Sequence, residues 1–181
     1  MRPLIASMLA CIVWSVGAAA SAMPVKPNAS LGKVEAACRL NETGPALLIT
    51  AIGLKDRKGL LRAELYPNND DDFLQDDAIL INAGKAFRRV DLPLTPATDP
   101  VLCMRVPSAG KYALSLLHDR DRNLKFGFTS DGIGFAGNKK LTRSKPRAAD
   151  ATVIAGSGLT KVAVRMNYRN GLISFGPIAT K

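Results

Sequence analysis

At 181 residues, with 47% apolar and 22% charged residues, the chain is long enough and apolar enough to bury one core, which excludes wholesale disorder. Its net charge of +10 bears on partners and not on fold. It suits contact with anionic surfaces such as lipid head groups, acidic polysaccharide or nucleic acid, and equally the plainer reading of a solvated basic surface.

Residues 1–22 read as a secretory signal peptide: Arg2, then the apolar stretch Leu4 to Ala20, then the small-residue sites Ala18-Ala19-Ala20 and Ala20-Ser21-Ala22. The expected location is therefore periplasmic or secreted, with no integral membrane segment after cleavage. Removing this segment takes away Cys11 and leaves Cys38 and Cys103, which in an exported chain most simply form one disulfide. Residues 23–45 read as an N-terminal segment tethered by Cys38, in which Leu31 to Leu40 forms a short helix or an edge segment.

The sandwich domain is expected over 46–168. ALLITAIGL at 46–54 reads as a strand buried on both faces. After the polar turn at 55–59, GLLRAELY returns with Leu61, Ala63 and Leu65 on one side and Arg62, Glu64 and Tyr66 on the other. The acidic run NNDDDFLQDD at 68–77 reads as a solvated loop that pairs with basic neighbours. Ala78 to Asn82 is read as a short strand, and Lys85 to Leu92 as another, with Phe87 and Val90 on opposite faces as a bulge would place them.

Val101 to Val106 alternates so that Leu102, Met104 and Val106 face one way and Cys103 the other. If the first face is the core, the disulfide lies outside the sheet. From Gly110 the organising strand places Tyr112, Leu114, Leu116 and His118 on one side, so that His118 sits at the rim of the core face and Asp119 opens the loop. Residues 120–150 mix basic residues, glycines and Phe126, Phe128 and Phe135. Thr160 to Tyr168 alternates cleanly, with Val162, Val164, Met166 and Tyr168 facing in. Asn170-Gly171 signals a hairpin that makes 169–181 a C-terminal hairpin or tail. Seven or eight short strands with frequent turns predict an all-β, antiparallel β-sandwich.

Three constellations bear on chemistry. Asp119-x-Asp121-x-Asn123 sets oxygen ligands at every second residue, as a calcium loop does, but Leu124 stands where such a loop needs glycine and Ser130 where it needs a closing glutamate. The alternative is a turn whose Asp and Asn side chains cap their own backbone. His118 beside Asp119 has the residue types of a general base and its partner, yet it is the single histidine and no nucleophile elbow accompanies it. The basic residues Arg120, Arg122, Lys125, Lys139, Lys140, Arg143, Lys145 and Arg147 form a candidate binding face with His118 and Asp119. Export argues for an anionic glycan, lipid head group or envelope protein there and against nucleic acid.

Gly110-Lys111-Tyr112-Ala113, His118-Asp119, Asn123 and Gly132-Ile133-Gly134-Phe135 together resemble the exported bacterial family called domain of unknown function 2141. Its pattern is near GxYAxxxxHDxNxNGxxD, with a Gly-Phe segment, a proline and a last strand ending in Tyr. Gly134 to Asn138, Pro146 and Val162 to Tyr168 answer to these parts. The resemblance implies a prealbumin-like or immunoglobulin-like sandwich and supplies no activity. Asp121, Leu124 and Gly127 depart from its loop pattern.

The sequence thus leads to a first expectation, an exported non-catalytic module that binds a partner or anionic envelope component through the loop end 118–147. A second is a cation-stabilised module holding calcium on Asp119, Asp121 and Asn123. The third is a hydrolase built on His118 and Asp119. No other cofactor is expected.

Overall fold

The computed structural model describes residues 23–142, 144–172 and 174–178. The expected signal peptide lies outside them. Ten strands occur among the described residues, rather than seven or eight: β1 (Ala46–Ile52), β2 (Leu60–Pro67), β3 (Arg88–Pro93), β4 (Val101–Arg105), β5 (Gly110–Asp119), β6 (Gly132–Phe135), β7 (Thr152–Ala155), β8 (Leu159–Arg165), β9 (Asn167–Arg169) and β10 (Phe175–Gly176). Two short helices, α1 (Lys33–Ala36) and α2 (Asp77–Asn82), and a 3-10 turn at Ala148–Ala151 complete the inventory. No helix among the described residues is long and apolar enough to cross a membrane.

The strands form two sheets, ordered β4-β1-β8 and β10-β9-β6-β5-β2-β3. Pairing is antiparallel throughout, except that β1 and β8 run parallel. The long strand β5 organises the larger sheet. Residues 112–119 pair with β2 along one edge, while its other edge pairs with β7 over 110–113 and with β6 over 115–118.

Side-chain parity follows the period of two. Tyr112, Leu114 and Leu116 are buried between the sheets with Leu61, Ala63 and Leu65 of β2, Leu102 and Met104 of β4, and Val164, Met166 and Tyr168. The alternating run at 160–168 keeps one inward face but changes sheets at Met166. Its first part pairs with β1 and its last part with β6.

The disulfide Cys38–Cys103 forms where β4 is an edge, with a Cα–Cα distance of 5.9 Å. An isolated bridge between Ala37 and Met104 lays the N-terminal segment along that edge. Antiparallel pairing at 37 and 104 sets Cys38 opposite Cys103, on the side away from Leu102 and Met104.

Four expectations change. The β1 run is buried on one face only: Leu48 and Thr50 are half-buried and Ile52 is exposed, because among the described residues this outer side of the smaller sheet has no second layer like the one that covers the larger sheet. Residues 78–82 form a helix and not a strand, since the Asp76 carboxylate accepts from the N–H groups of Ala78 and Ile79 and caps it. No bulge is needed in β3, whose register with β2 is continuous from 88 to 93. Phe87 packs on the outer face and Val90 on the inner, because the larger sheet is covered on both sides. The acidic segment provides part of that cover: Phe73 is fully buried, and Asp72 is buried in an ion pair with Lys85 at 2.6 Å.

Candidate binding face at the end of strand β5

His118 is fully buried at the end of the inner face. Its Nε2 lies 2.8 Å from the Lys58 carbonyl and its Nδ1 2.6 Å from the Tyr168 hydroxyl. A carbonyl only accepts, so Nε2 carries the proton and Nδ1 accepts from Tyr168. The Tyr168 oxygen in turn accepts from the Lys55 N–H. Burial lowers the His118 pKa, and the Arg120 cation adds to this, against the opposing pull of the Lys58 carbonyl and Asp56. Burial also pushes the Tyr168 phenol up to about 12. The ring thus ties the 55–58 turn to β5 and β9.

Asp119 points to the opposite face, as parity requires, and its carboxylate does not reach His118. It accepts from the N–H groups of Asn123 and Leu124 at 3.2 and 2.8 Å. Two residues of this turn, Arg122 and Leu124, adopt left-handed backbone at φ 59° and 64°, so leucine holds the conformation that glycine takes most easily. Gly59, at φ +75°, passes so close that a Cβ there would lie 2.0 Å from the Asp119 carbonyl oxygen.

Asp131, which sequence reasoning missed, anchors the far end of the loop. Its carboxylate accepts from the N–H groups of Arg120 at 3.0 Å and Gly127 at 2.7 Å. Ligand oxygens of Asp119, Asp121 and Asp131 lie within 4.8 Å of one another. Burial raises the Asp119 pKa, and the nearby Asp121 and Asp131 add to this, against the two backbone N–H donors. Asn123 is turned elsewhere: its side-chain oxygen accepts from the Lys125 N–H, and its amide donates to Asp121.

The basic residues divide into two groups. Arg120 is paired with Asp56, its Nε 3.1 Å from that carboxylate, which lowers the Asp56 pKa. Arg122 reaches the Gly59 carbonyl at 3.3 Å. Lys125, Lys139, Lys140, Lys145 and Arg147 are exposed. Among the described residues none of these five has a carboxylate within ion-pair distance. Arg143 lies outside the described residues.

Beside these cations the outer face of the larger sheet opens into a groove of about 740 Å³. Ile133 and Phe135 of β6 form its floor. Phe126 and Phe128, 44% and 45% exposed, form a wall with Phe175 of β10. The Phe128 and Phe175 rings are 5.0 Å apart, and the Arg169 guanidinium lies over Phe128. Leu141, Pro146, Lys140 and Lys145 also line it. Phenylalanines interleaved with charges were visible in the sequence. The contribution of Phe175 was not, since it comes from a strand 47 residues after Phe128.

One bacterial family, described as "Uncharacterized protein conserved in bacteria (DUF2141)", matches residues 49–163. The chain belongs to this family. Comparison with the curated proteins and with the solved structures finds no match in either. The DUF2141 match spans β5, the Asp119–Asp131 loop and the floor of the groove. Tyr168 and Phe175 lie beyond it.

Proposed function

We propose that this DUF2141 protein is an exported, non-catalytic binding module whose loop end, 118–147, holds an anionic partner or envelope component. The observation that carries this reading is the local excess of charge. Residues 118–147 hold eight lysines and arginines against three aspartates, half of the chain's net charge. The five exposed cations named above have no carboxylate within ion-pair distance among the described residues. Attraction to an anionic surface would be electrostatic and screened by salt. The test is retention on vesicles containing phosphatidylglycerol, compared with neutral vesicles and with an acidic polysaccharide. Binding should fade as salt rises and weaken when Lys139, Lys140 and Lys145 become Gln; absent or salt-insensitive binding refutes the reading. The non-catalytic part is supported by His118, which is enclosed, has both ring nitrogens engaged and faces away from Asp119.

A second reading, a cation-stabilised loop, is favoured by the three clustered carboxylates. Asp131 replaces Asn123 in the ligand set, and a hard cation would relieve the charge that raises the Asp119 pKa. Thermal unfolding with calcium and with chelator tests it: the midpoint should rise with calcium, and equal midpoints remove the metal.

A further inference from the structure

We infer that the phenylalanine-lined groove binds a single-chain anionic amphiphile, an acyl chain ending in a carboxylate, with the chain against Phe126, Phe128 and Phe175 and the head group at Lys140 and Lys145. The inference rests on the proposed anionic-binding function and names its ligand class.

Three observations carry it. The groove, about 740 Å³, falls within the range of small-molecule sites, roughly 300–1,000 Å³, and its lining is mostly apolar, with Thr142, Ser144 and Ser174 as its uncharged polar members. Phe126 and Phe128 remain almost half exposed at its mouth, whereas Phe73 and Phe87 of the same face are buried. Lys140 and Lys145 are the charged side chains of its lining, which complements a ligand with an apolar body and one anionic end. A second copy of the chain is a poorer fit. The chain's main acidic segment is already engaged on its own sheet, Asp70 with the Ala148 N–H, Asp72 with Lys85 and Asp77 with Arg89.

The test is calorimetric titration of the purified protein with octanoate, decanoate and dodecanoate, each below its aggregation concentration. Affinity should rise about fourfold per added methylene until the groove is full. Dodecyltrimethylammonium, of equal chain length and opposite charge, should bind at least about tenfold more weakly than dodecanoate. Phe128→Ser should weaken dodecanoate about tenfold or more with the thermal midpoint little changed. The Lys140→Gln, Lys145→Gln pair, both on exposed residues, should reduce dodecanoate binding and strengthen binding of the cationic amphiphile, narrowing the gap between the two. Lack of dodecanoate binding, or equal binding by the Phe128 variant, overturns the inference. If the protein still binds phosphatidylglycerol vesicles in a salt-dependent way in that case, the anionic-surface reading stands and only the acyl site falls.

Discussion

Replacing His118 by Phe tests the knot that closes the end of β5. Phe preserves a buried ring but can neither donate to the Lys58 carbonyl nor accept from the Tyr168 hydroxyl. The Tyr168 side chain is buried, so its hydroxyl loses its acceptor without ready access to water. The Lys58 residue is exposed, so its carbonyl is the more easily rehydrated of the two. Leaving one buried group unsatisfied costs about 1–3 kcal/mol, and losing an ordinary bond about 1 kcal/mol, so the variant should lose roughly 2–4 kcal/mol at pH 7.5.

The loss should shrink on acidification. The folded His118 pKa lies below its ordinary 6.5, so the unfolded chain binds the proton first. Its contribution is complete above about pH 6.5 and declines as pH falls toward the folded value, by at most about 1.4 kcal/mol per pH unit. The chain has a single histidine, so no second imidazole obscures this window. The Asp119 pKa is raised, which makes its contribution fall as pH rises, and it is present in both proteins, so it cancels in the difference between them. Urea unfolding followed by far-UV circular dichroism at pH 7.5, 6.0 and 5.0 measures the difference. Parallel stability curves for the two proteins, or a cost under about 0.5 kcal/mol at pH 7.5, refute the buried neutral ring.

Asp131→Ala removes the acceptor of two backbone N–H groups and should cost about 2–4 kcal/mol, with Asp131→Asn costing less; denaturant midpoints near wild type would show that the loop closes without it. Gly59→Ala adds a Cβ against the Asp119 carbonyl at a left-handed position and should destabilise by about 3 kcal/mol or more, visible as a large fall in thermal midpoint. Replacing both Cys38 and Cys103 by Ser opens a cross-link of sequence separation 65 and should cost about 4 kcal/mol in oxidising buffer. Reductant should then leave the variant's midpoint unchanged while lowering that of the parent.

The parts legible in the sequence were those governed by alternation. Leu114, Val164 and Met166 could be assigned to one interior because a strand offers two faces, and one of them was consistently apolar. Cys103 could be placed outside for the same reason. What escaped depended on a second layer. Phe87 and Val90 looked like a bulge because only one buried face was assumed, although the 68–87 segment and the Ala148–Ala151 turn cover the other. Residues 78–82 are apolar enough for either state, and the Asp76 cap decided between them. β6 is four residues long with two glycines, too short for periodicity to mark. In the loop, Asp119 and Asp121 were visible through their spacing. Asp131 joins them from ten residues further on, through a turn that no local pattern encodes.

The distribution of charge connects the fold to the proposed binding face. Along β2 and β3 the outer cations are balanced: Arg62 makes a two-point pair with Asp91, which also meets Lys33, and Arg89 joins Glu64 and Asp77 at 2.7 and 2.9 Å. Arg62 also holds the Leu124 carbonyl at 3.3 Å, so this balanced region braces the loop that carries Phe126 and Phe128. Past that brace, among the described residues, Lys125, Lys139, Lys140 and Lys145 have no carboxylate within ion-pair distance, and Phe126 and Phe128 stay almost half exposed. A phenylalanine left almost half exposed forgoes about 1 kcal/mol of burial, so the two together leave roughly 2 kcal/mol unused by folding. A hydrophobic ligand entering the groove would recover part of that burial, and an anionic end would meet the cations beside it.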